Sequence, residues 1–520
     1  MRNPNPMSPT LLSRYLGQKF PPTEQQAAVI GAEPGPLLVV AGAGAGKTET
    51  MAARVVWLVA NGYVRPDEVL GLTFTRKAAQ EMGKRIRDRL DALARNTDLV
   101  RRLDPSGELA RNLQVIAPTV STYDSYAGQL IREYGLLVPV EPDARLITDA
   151  ELHAIATDVV VNYSGGLLTE LGDNPSLSTV VENLLTLSTS MGNELAAPDW
   201  VREHAHDFLA ETESYPTGPR ARVEFTKTLM GWRSKQEERT KLLPLVEELD
   251  AELRRRGVVT FNEQMSVAAK LARDHRTVGA SQRARFRVVM LDEYQDTSHA
   301  QRMLLRSLFG EGADPELTVT AVGDPMQAIY GWRGATAANL EAFVEDFPTA
   351  QGPAPKKQLT TSWRNPPEVL DLANGVSDAV LGPAETRAVA ALEARPGADA
   401  GEVTLGFFPH HDAEIAFVAD RLAQEYREAS ETGRPFSAAA LVRKNRHSPV
   451  LAAALEERGV PYEIVGLAGL LDVPEVADTV AIATMLVRPD GGNAGGAAEP
   501  DAQAALAVHR VAGVDGQVQQ

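Results

Sequence analysis

The chain has 520 residues, 44% of them hydrophobic and 23% charged, values of an ordinary globular protein that argue against wholesale disorder, and its length implies three or four folding units of roughly 100 to 200 residues each. Zero cysteines exclude disulfides, thiolate zinc sites and cysteine-held iron–sulfur clusters, no apolar run reaches the ~20 residues of a membrane span, and the opening MRNPNPMSPTLLSRYLGQKF lacks the apolar core of a secretory leader. A cytoplasmic location with no membrane partner is therefore expected; the net charge of -17 counts against a phosphate-rich partner only as a surface average, since a local basic groove with stacking aromatics suffices for a single strand.

Between Gly35 and Phe74 the pattern is strand (PLLVVAG), glycine-rich loop (AGAGKT), helix (ETMAARVVWLVANG) and strand (VLGLTF), a βαβ unit that calls for a parallel α/β sheet. A helix is predicted from Arg76 to about Ala94, and a strand in VIAPTVSTY ahead of Asp124. From about 136 to 255 the periodicity is helical, with no phosphate or metal signature, and reads as an insertion into the sheet. FRVVMLDEYQD and LTVTAVGD are continuous apolar strands ending in carboxylates, where the sheet resumes. Past a Pro/Lys linker at 352–357 a second α/β run is predicted, with strands at VTLGFF, AAALVR and YEIVG. The Gly/Ala-rich stretch after Arg488 has no periodicity and reads as a flexible tail. The expected organisation is a first motor domain at 1–135 and 256–351, the helical insertion at 136–255, a partial second α/β domain at 352–488, and the tail at 489–520.

The segment from Ala41 to Thr48 joins an apolar strand to a helix and has the form of a phosphate-binding loop, with Ala41 where the general pattern has glycine. Small residues let backbone N–H groups wrap a triphosphate, and the helix N-terminus adds positive potential. The nucleotide is assigned to Ala43, Gly44, Ala45, Gly46, Lys47, Thr48 and Glu49; Lys47 would reach the β- and γ-phosphates and Thr48 would ligate Mg²⁺. The strand Val288–Leu291 ends in Asp292 and Glu293, a second metal ligand and a base for the attacking water. Lys47, Thr48 and Asp292 are thus expected at adjoining strand ends around one ATP.

These motifs and those around them resemble the UvrD/PcrA/Rep helicases of superfamily 1, in order and in wording. PPTEQQAAVI resembles the adenine-reading motif, with Gln25 in the glutamine position and Pro21-Pro22 replacing Leu-Asn. LTFTRKAAQEM resembles the family's first single-strand contact, which implies DNA-binding roles for Thr73, Phe74 and Thr75. STYDSYAG resembles the second, usually written with Phe-His, and implies the same for Thr122 and Tyr123. DEYQDTSHAQ is similar to the extended acidic motif, and VGDPMQAIYGWRGA is the most telling match: Gln327 would sense the γ-phosphate while Tyr330, Trp332 and Arg333 meet DNA, Arg333 also closing on the nucleotide. LTTSWRNPPEVL resembles the motif that opens the second motor domain, with Arg364 aimed at the γ-phosphate and Trp363 in place of the adenine-stacking tyrosine.

What the resemblance implies is a P-loop (RecA-like) NTPase sheet with a helical insertion, followed by an incomplete second RecA-like domain. The activity implied is ATP- and Mg²⁺-dependent translocation 3′ to 5′ on single-stranded DNA and at single/double-strand junctions, in repair or recombination. The wording TSWRNPPE and DEYQDTSHAQ leans toward the actinobacterial AdnAB helicase-nuclease branch, hence a helicase or nuclease partner subunit. The similarity runs from about Phe20 to Arg488; segments like T-x-H-x-x-K-G-L-E and V-A-x-T-R-A are not found, so the chain reads as truncated before the last helicase motifs. The alternative is a regulatory or truncated fragment that binds ATP and single strands without hydrolysis.

Overall fold

The computed structural model describes residues 5–465 except 116, 139–140, 142–143, 166–174, 216–224, 311–313, 315–316, 332–333, 337 and 383–389, together with positions 476, 479 and 482. Two compact units, Met1–Val403 and Thr404–Gln520, divide the chain. The first is built on β1 (Leu37–Ala41), β2 (Val69–Thr73), β3 (Thr119–Thr122), β6 (Val288–Leu291), β7 (Thr318–Gly323) and β8 (Lys356–Leu359). They form one parallel sheet in the order β3-β2-β6-β7-β1-β8.

Every residue of β1, β2, β6 and β7 is buried, as a central strand covered on both faces requires. One face packs Met51, Val55, Trp57 and Leu58 of the helix Lys47–Ala60 together with Met82 and Ile86 of the helix Arg76–Arg95; the other packs Tyr126 and Leu130 of the helix Tyr123–Tyr134, Leu271 and Leu304. Threonines start three of these helices: Thr23 caps Glu24–Ile30 in a capping box with Gln26, Thr75 caps Arg76–Arg95, and Thr122 caps Tyr123–Tyr134. This doubly covered parallel sheet is the RecA-like α/β class expected from the sequence.

Between β3 and β6 the chain leaves the sheet. The helices Asp149–Asn162, Leu177–Glu194, Pro198–Glu213 and Lys227–Arg255 enclose their own core, with Ile155, Val159, Val180, Leu184, Leu243 and Leu249 buried in it. The departure and the return meet in a short parallel pair, β4 (Arg145–Leu146) with β5 (Val258–Val259).

Two sequence expectations meet a different structure. β8 hydrogen-bonds to β1, so the first sheet continues past the boundary drawn at 351/352, and residues up to Val403 belong to the first unit. In the second unit, the helices His411–Thr432 and Ser448–Glu457 pack through Ile415, Ala419, Leu451 and Leu455. The segments expected as strands at VTLGFF and AAALVR show no strand, and YEIVG shows none in residues 462–465. Phe407 and Leu441 are fully exposed, and an apolar, β-prone run becomes a strand only where another strand supplies N–H and C=O groups in register. Among the described residues, no helix is long and apolar enough to cross a membrane.

Candidate active site

The loop after β1 owes its shape to glycines at positive φ, Gly44 at 76° and Gly46 at 78°. A Cβ on Gly44 would lie 2.6 Å from Ser362 Oγ and 2.8 Å from Arg364 Cβ, so only glycine lets 362–364 pack on the loop. The Trp363 N–H donates to Gly44 O at 2.9 Å, and Gln26 Nε2 donates to Ala45 O at 3.2 Å. The loop is therefore gripped from both sides. Gln26 was not singled out from the sequence, although its capping-box spacing from Thr23 was a signal for a fixed position.

Lys47 opens the helix after the loop. Its Nζ sits 3.2 Å from Glu293 Oε2, with side-chain exposures of 12% and 35%, and beyond this ion pair it has no hydrogen-bond partner among the described residues. Thr48 is the next residue on the same first turn, and Ala43 and Ala45 lie within the loop. Glu49 points away from the loop into an ion cluster with Arg85 and Arg89 of the helix Arg76–Arg95.

The carboxylates follow β6. The sequence placed this strand end beside the phosphate loop; the observed order puts β7 between β1 and β6, because strand order is set by crossovers that leave no local pattern. That interposition delivers the segment after β7 to the same end of the sheet. Asp292 is 4% exposed, and burial followed by the Glu293 charge pushes its carboxyl up to about 7, with Lys47 pulling the other way. Glu293 holds a left-handed backbone, φ 49°, unusual outside glycine. Gln295 Nε2 donates to Glu293 Oε2 at 2.9 Å, and its Oε1 accepts from Asp324 N at 3.0 Å. Asp324 Oδ2 in turn accepts from Gln327 Nε2 at 2.6 Å. Glu293, Gln295, Asp324 and Gln327 thus form one continuous polar chain.

A second branch leaves it. Gln295 Nε2 also donates to Asp296 Oδ2 at 3.2 Å, and the Asp296 carboxyl, raised to about 6 by burial and Glu293, accepts the Ile329 N–H. Ile329 precedes Tyr330, whose ring lies 4.8 Å from that of Phe74 at the end of β2. Thr75, beside Phe74, is exposed at its helix start. Thr73 is fully buried, and Thr122, 8% exposed, is spent on its helix cap.

Tyr123 departs from the expected DNA contact. It is 2% exposed, and its hydroxyl donates to Asp292 O at 3.1 Å, so it supports the carboxylate strand from beneath. An aromatic at the first position of an amphipathic helix turns to the core when the neighbouring strand offers a carbonyl. Trp332 and Arg333 lie outside the described residues.

On the other flank, Arg364 is exposed beside the loop, and Trp363 faces Phe20 with ring centroids 5.8 Å apart. Gln25 Nε2 donates to Thr360 Oγ1 at 2.9 Å, and its Oε1 accepts from Thr360 N at 2.8 Å. Arg54, also missed from the sequence, is fully buried beneath this assembly; it donates to the carbonyls of Val29, Ile30, Ala32 and Glu33 and to Thr320 Oγ1, and burial brings its pKa down to about 10. A single arginine on an apolar helix carries no sequence mark that separates burial from solvent.

The geometry has counterparts among known proteins. Residues 22–348 match the family described as UvrD/REP helicase N-terminal domain. The ATP-dependent DNA helicase UvrD1 of Mycobacterium tuberculosis (strain ATCC 25618 / H37Rv) is 30% identical over 482 residues, covering 90% of this chain and 52% of that protein. The ATP-dependent DNA helicase UvrD2 of Mycobacterium bovis is 28% identical over 457 residues, with 87% and 56% covered. The ATP-dependent DNA helicase PcrA of Leuconostoc citreum is 26% identical over 466 residues, with 90% and 52% covered. The chain spans about half the length of the curated relatives it matches. With the match covering well over half of the sequence and taking in the phosphate loop, the carboxylate strand and the loop after β7, the chain belongs to the UvrD/REP helicase N-terminal domain family.

Proposed function

We propose that this chain is the ATP-hydrolysing, strand-gripping part of a cytoplasmic DNA helicase that moves 3′ to 5′ along single-stranded DNA in repair or recombination. The observation that carries the reading is Lys47: an ammonium with no hydrogen-bond partner among the described residues, at the helix end of a glycine loop, facing Asp292 and Glu293. The names of the relatives, ATP-dependent DNA helicases, support the activity, and the family resemblance of the motifs supports the polarity.

Thr48 and Asp292 supply hydroxyl and carboxylate oxygens, the hard donors that Mg²⁺ takes, and the buried Asp292 is a carboxyl that a divalent cation would hold ionised. When bound there, Mg²⁺ supplies neutralising charge to the β- and γ-phosphate oxygens. The loop N–H groups and Lys47 would bind the triphosphate, drawing Lys47 away from Glu293. Glu293, so released, would accept a proton from water as its oxygen attacks the γ-phosphorus and the bond to the β,γ-bridging oxygen breaks. Arg364, beside the loop, would add positive charge at the γ-phosphate.

A change at Glu293 reaches Gln327 through Gln295 and Asp324, and reaches Tyr330 through Gln295, Asp296 and Ile329. Phosphate and strand are thereby coupled through adjacent hydrogen bonds, with Phe74, Thr75 and Tyr330 as the strand's contacts.

Measuring ATP turnover with and without single-stranded DNA, with Lys47→Ala as the control, tests the proposal. Turnover that DNA stimulates and the substitution abolishes is expected. Nucleotide binding without turnover would instead favour a regulatory fragment, and turnover equal in the variant would overturn the site assignment.

A further inference from the structure

The segment after β7 that carries Tyr330 rests on the helical insertion. Tyr330 O accepts the Ala335 N–H at 3.4 Å and Gly331 O accepts the Gly334 N–H at 3.0 Å, so Tyr330 is tied to a corner at Gly334, where φ is 81°. A Cβ on Gly334 would lie 2.9 Å from Asn193 Nδ2 and 3.1 Å from Asn193 Cβ and Cγ. The bare Cα therefore lies flat on the Asn193 side chain, an approach that only glycine allows. The contact is one of shape, since the Asn193 amide donates to no described residue.

Asn193 is firmly based. It stands next to the end of the helix Leu177–Glu194, whose Val180, Leu184 and Met191 are buried in the core of the insertion. Just past it Leu195 takes a left-handed backbone, φ 54°, costly for a leucine, and packs against the core under the parallel sheet. The helix Phe261–Asp274, which joins that core through Met265 and Ala268, holds the same end: Ser266 Oγ donates to Gly192 O at 2.8 Å and Asn262 Nδ2 to Thr189 O at 3.0 Å. From the other side the corner is joined to the carboxylate segment, by an antiparallel bridge between Ser298 and Ala335 and by Asn339 Nδ2 donating to Thr297 O at 2.7 Å.

We propose that Asn193 is a positioning residue for the strand contact: the end of the insertion helix seats the corner at Gly334 and so holds the Tyr330 ring against Phe74. This rests on the reading of Tyr330 as a strand contact. A ring grips a base best when its own freedom is already spent, so a looser seat weakens binding through the ordering that must then accompany it. Alanine at 193 would open a gap under Gly334, and a gap of about 0.5 to 1 Å already forfeits a quarter to a half of a contact's attraction. Leucine, branched at Cγ as asparagine is, would fill it.

Fluorescence anisotropy of a labelled oligothymidylate on the full chain, with calorimetric ATP binding as the control, tests the seat. Asn193→Ala should weaken oligonucleotide binding roughly 3- to 30-fold and leave ATP affinity within about twofold, and Asn193→Leu should restore the parent value. In a Tyr330→Ala background Asn193→Ala should cost nothing further, because the seat acts through that ring. An oligonucleotide affinity that Asn193→Ala leaves unchanged would overturn the proposal, as would an equal loss in both backgrounds. A loss that leucine does not restore would also overturn it, by making the amide itself the contact, and so would a matching fall in ATP affinity, the mark of a merely structural role. If Tyr330→Ala binds the oligonucleotide as the parent does, the strand-contact reading fails and the seat falls with it; a Tyr330 effect without an Asn193 effect fails the seat alone.

Discussion

Lys47 Nζ stands 3.2 Å from Glu293 Oε2 across the mouth of the phosphate loop, so the cation assigned to the γ-phosphate and the carboxylate assigned to the attacking water neutralise each other. The pair is partly open to solvent, so its stability contribution is no more than about 1 kcal/mol. Under the proposed function its importance is in catalysis. Glu293→Gln should lower single-turnover hydrolysis by roughly 10²- to 10⁴-fold, the usual effect of losing a general base, while nucleotide affinity stays within about threefold. Hydrolysis at the original rate would remove Glu293 from the mechanism.

Phe74 and Tyr330 touch, with centroids 4.8 Å apart, although they stand on segments after different strands. Each is expected to contribute roughly 1 to 3 kcal/mol to single-strand affinity through stacking. Because the rings share a contact, their losses should not add. In a double-mutant cycle on oligonucleotide binding, Phe74→Ala with Tyr330→Ala should cost at least about 0.5 kcal/mol less than the sum of the two single changes. Strict additivity would mean that the strand meets the rings independently.

The glycine loop after β1 and the strand that ends in Asp292 were legible because each leaves a local signature: small residues where the backbone turns through positive φ between strand and helix, and consecutive apolar residues where a strand is buried on both faces. What stayed hidden depends on partners distant in sequence. The interposition of β7, the burial of Tyr123 under Asp292 and the engagement of Gln25 by Thr360 are all tertiary choices. The segments VTLGFF and AAALVR show no strand, since β-propensity states a preference that the tertiary surroundings decide.

Arg54 is a larger source of stability than its silence in the sequence suggests. It satisfies the last carbonyls of the helix Glu24–Ile30 and of the turn after it, joining the segment that bears Gln25 and Gln26 to the helix that starts at Lys47. Arg54→Met fills similar volume but removes the guanidinium donor from the carbonyls of Ile30, Ala32 and Glu33 and from Thr320, while Val29 O keeps the Ala32 N–H. A loss of roughly 3 to 5 kcal/mol in urea unfolding is expected, since each orphaned buried acceptor costs about 1 kcal/mol or more. Arg54→Lys should recover only part of it, because one ammonium cannot span the fan of acceptors. A variant as stable as the parent would show that water replaces the guanidinium.

Glu263 lies in the first turn of the helix Phe261–Asp274, which Thr260 caps, and its carboxyl is pushed up to about 7, first by burial and then by Asp250, against the Thr260 N–H, Arg254 and Lys270. Its Oε2 is buried without a partner among the described residues. A folded-state pKa above the ordinary 4.5 means that the native protein binds this proton more tightly than the unfolded chain. The resulting stability is therefore fully present below pH 4.5 and is lost as pH rises toward about 7, after which it changes no further. Glu263→Gln keeps an acceptor for Thr260 and removes the titration. Relative to the parent, the variant should gain roughly 1 to 3 kcal/mol between pH 5 and pH 8, read as the difference of urea midpoints at the two pH values. A gain that is the same at both pH values would show that Glu263 is ionised throughout, held by Arg254 and Lys270 despite its burial.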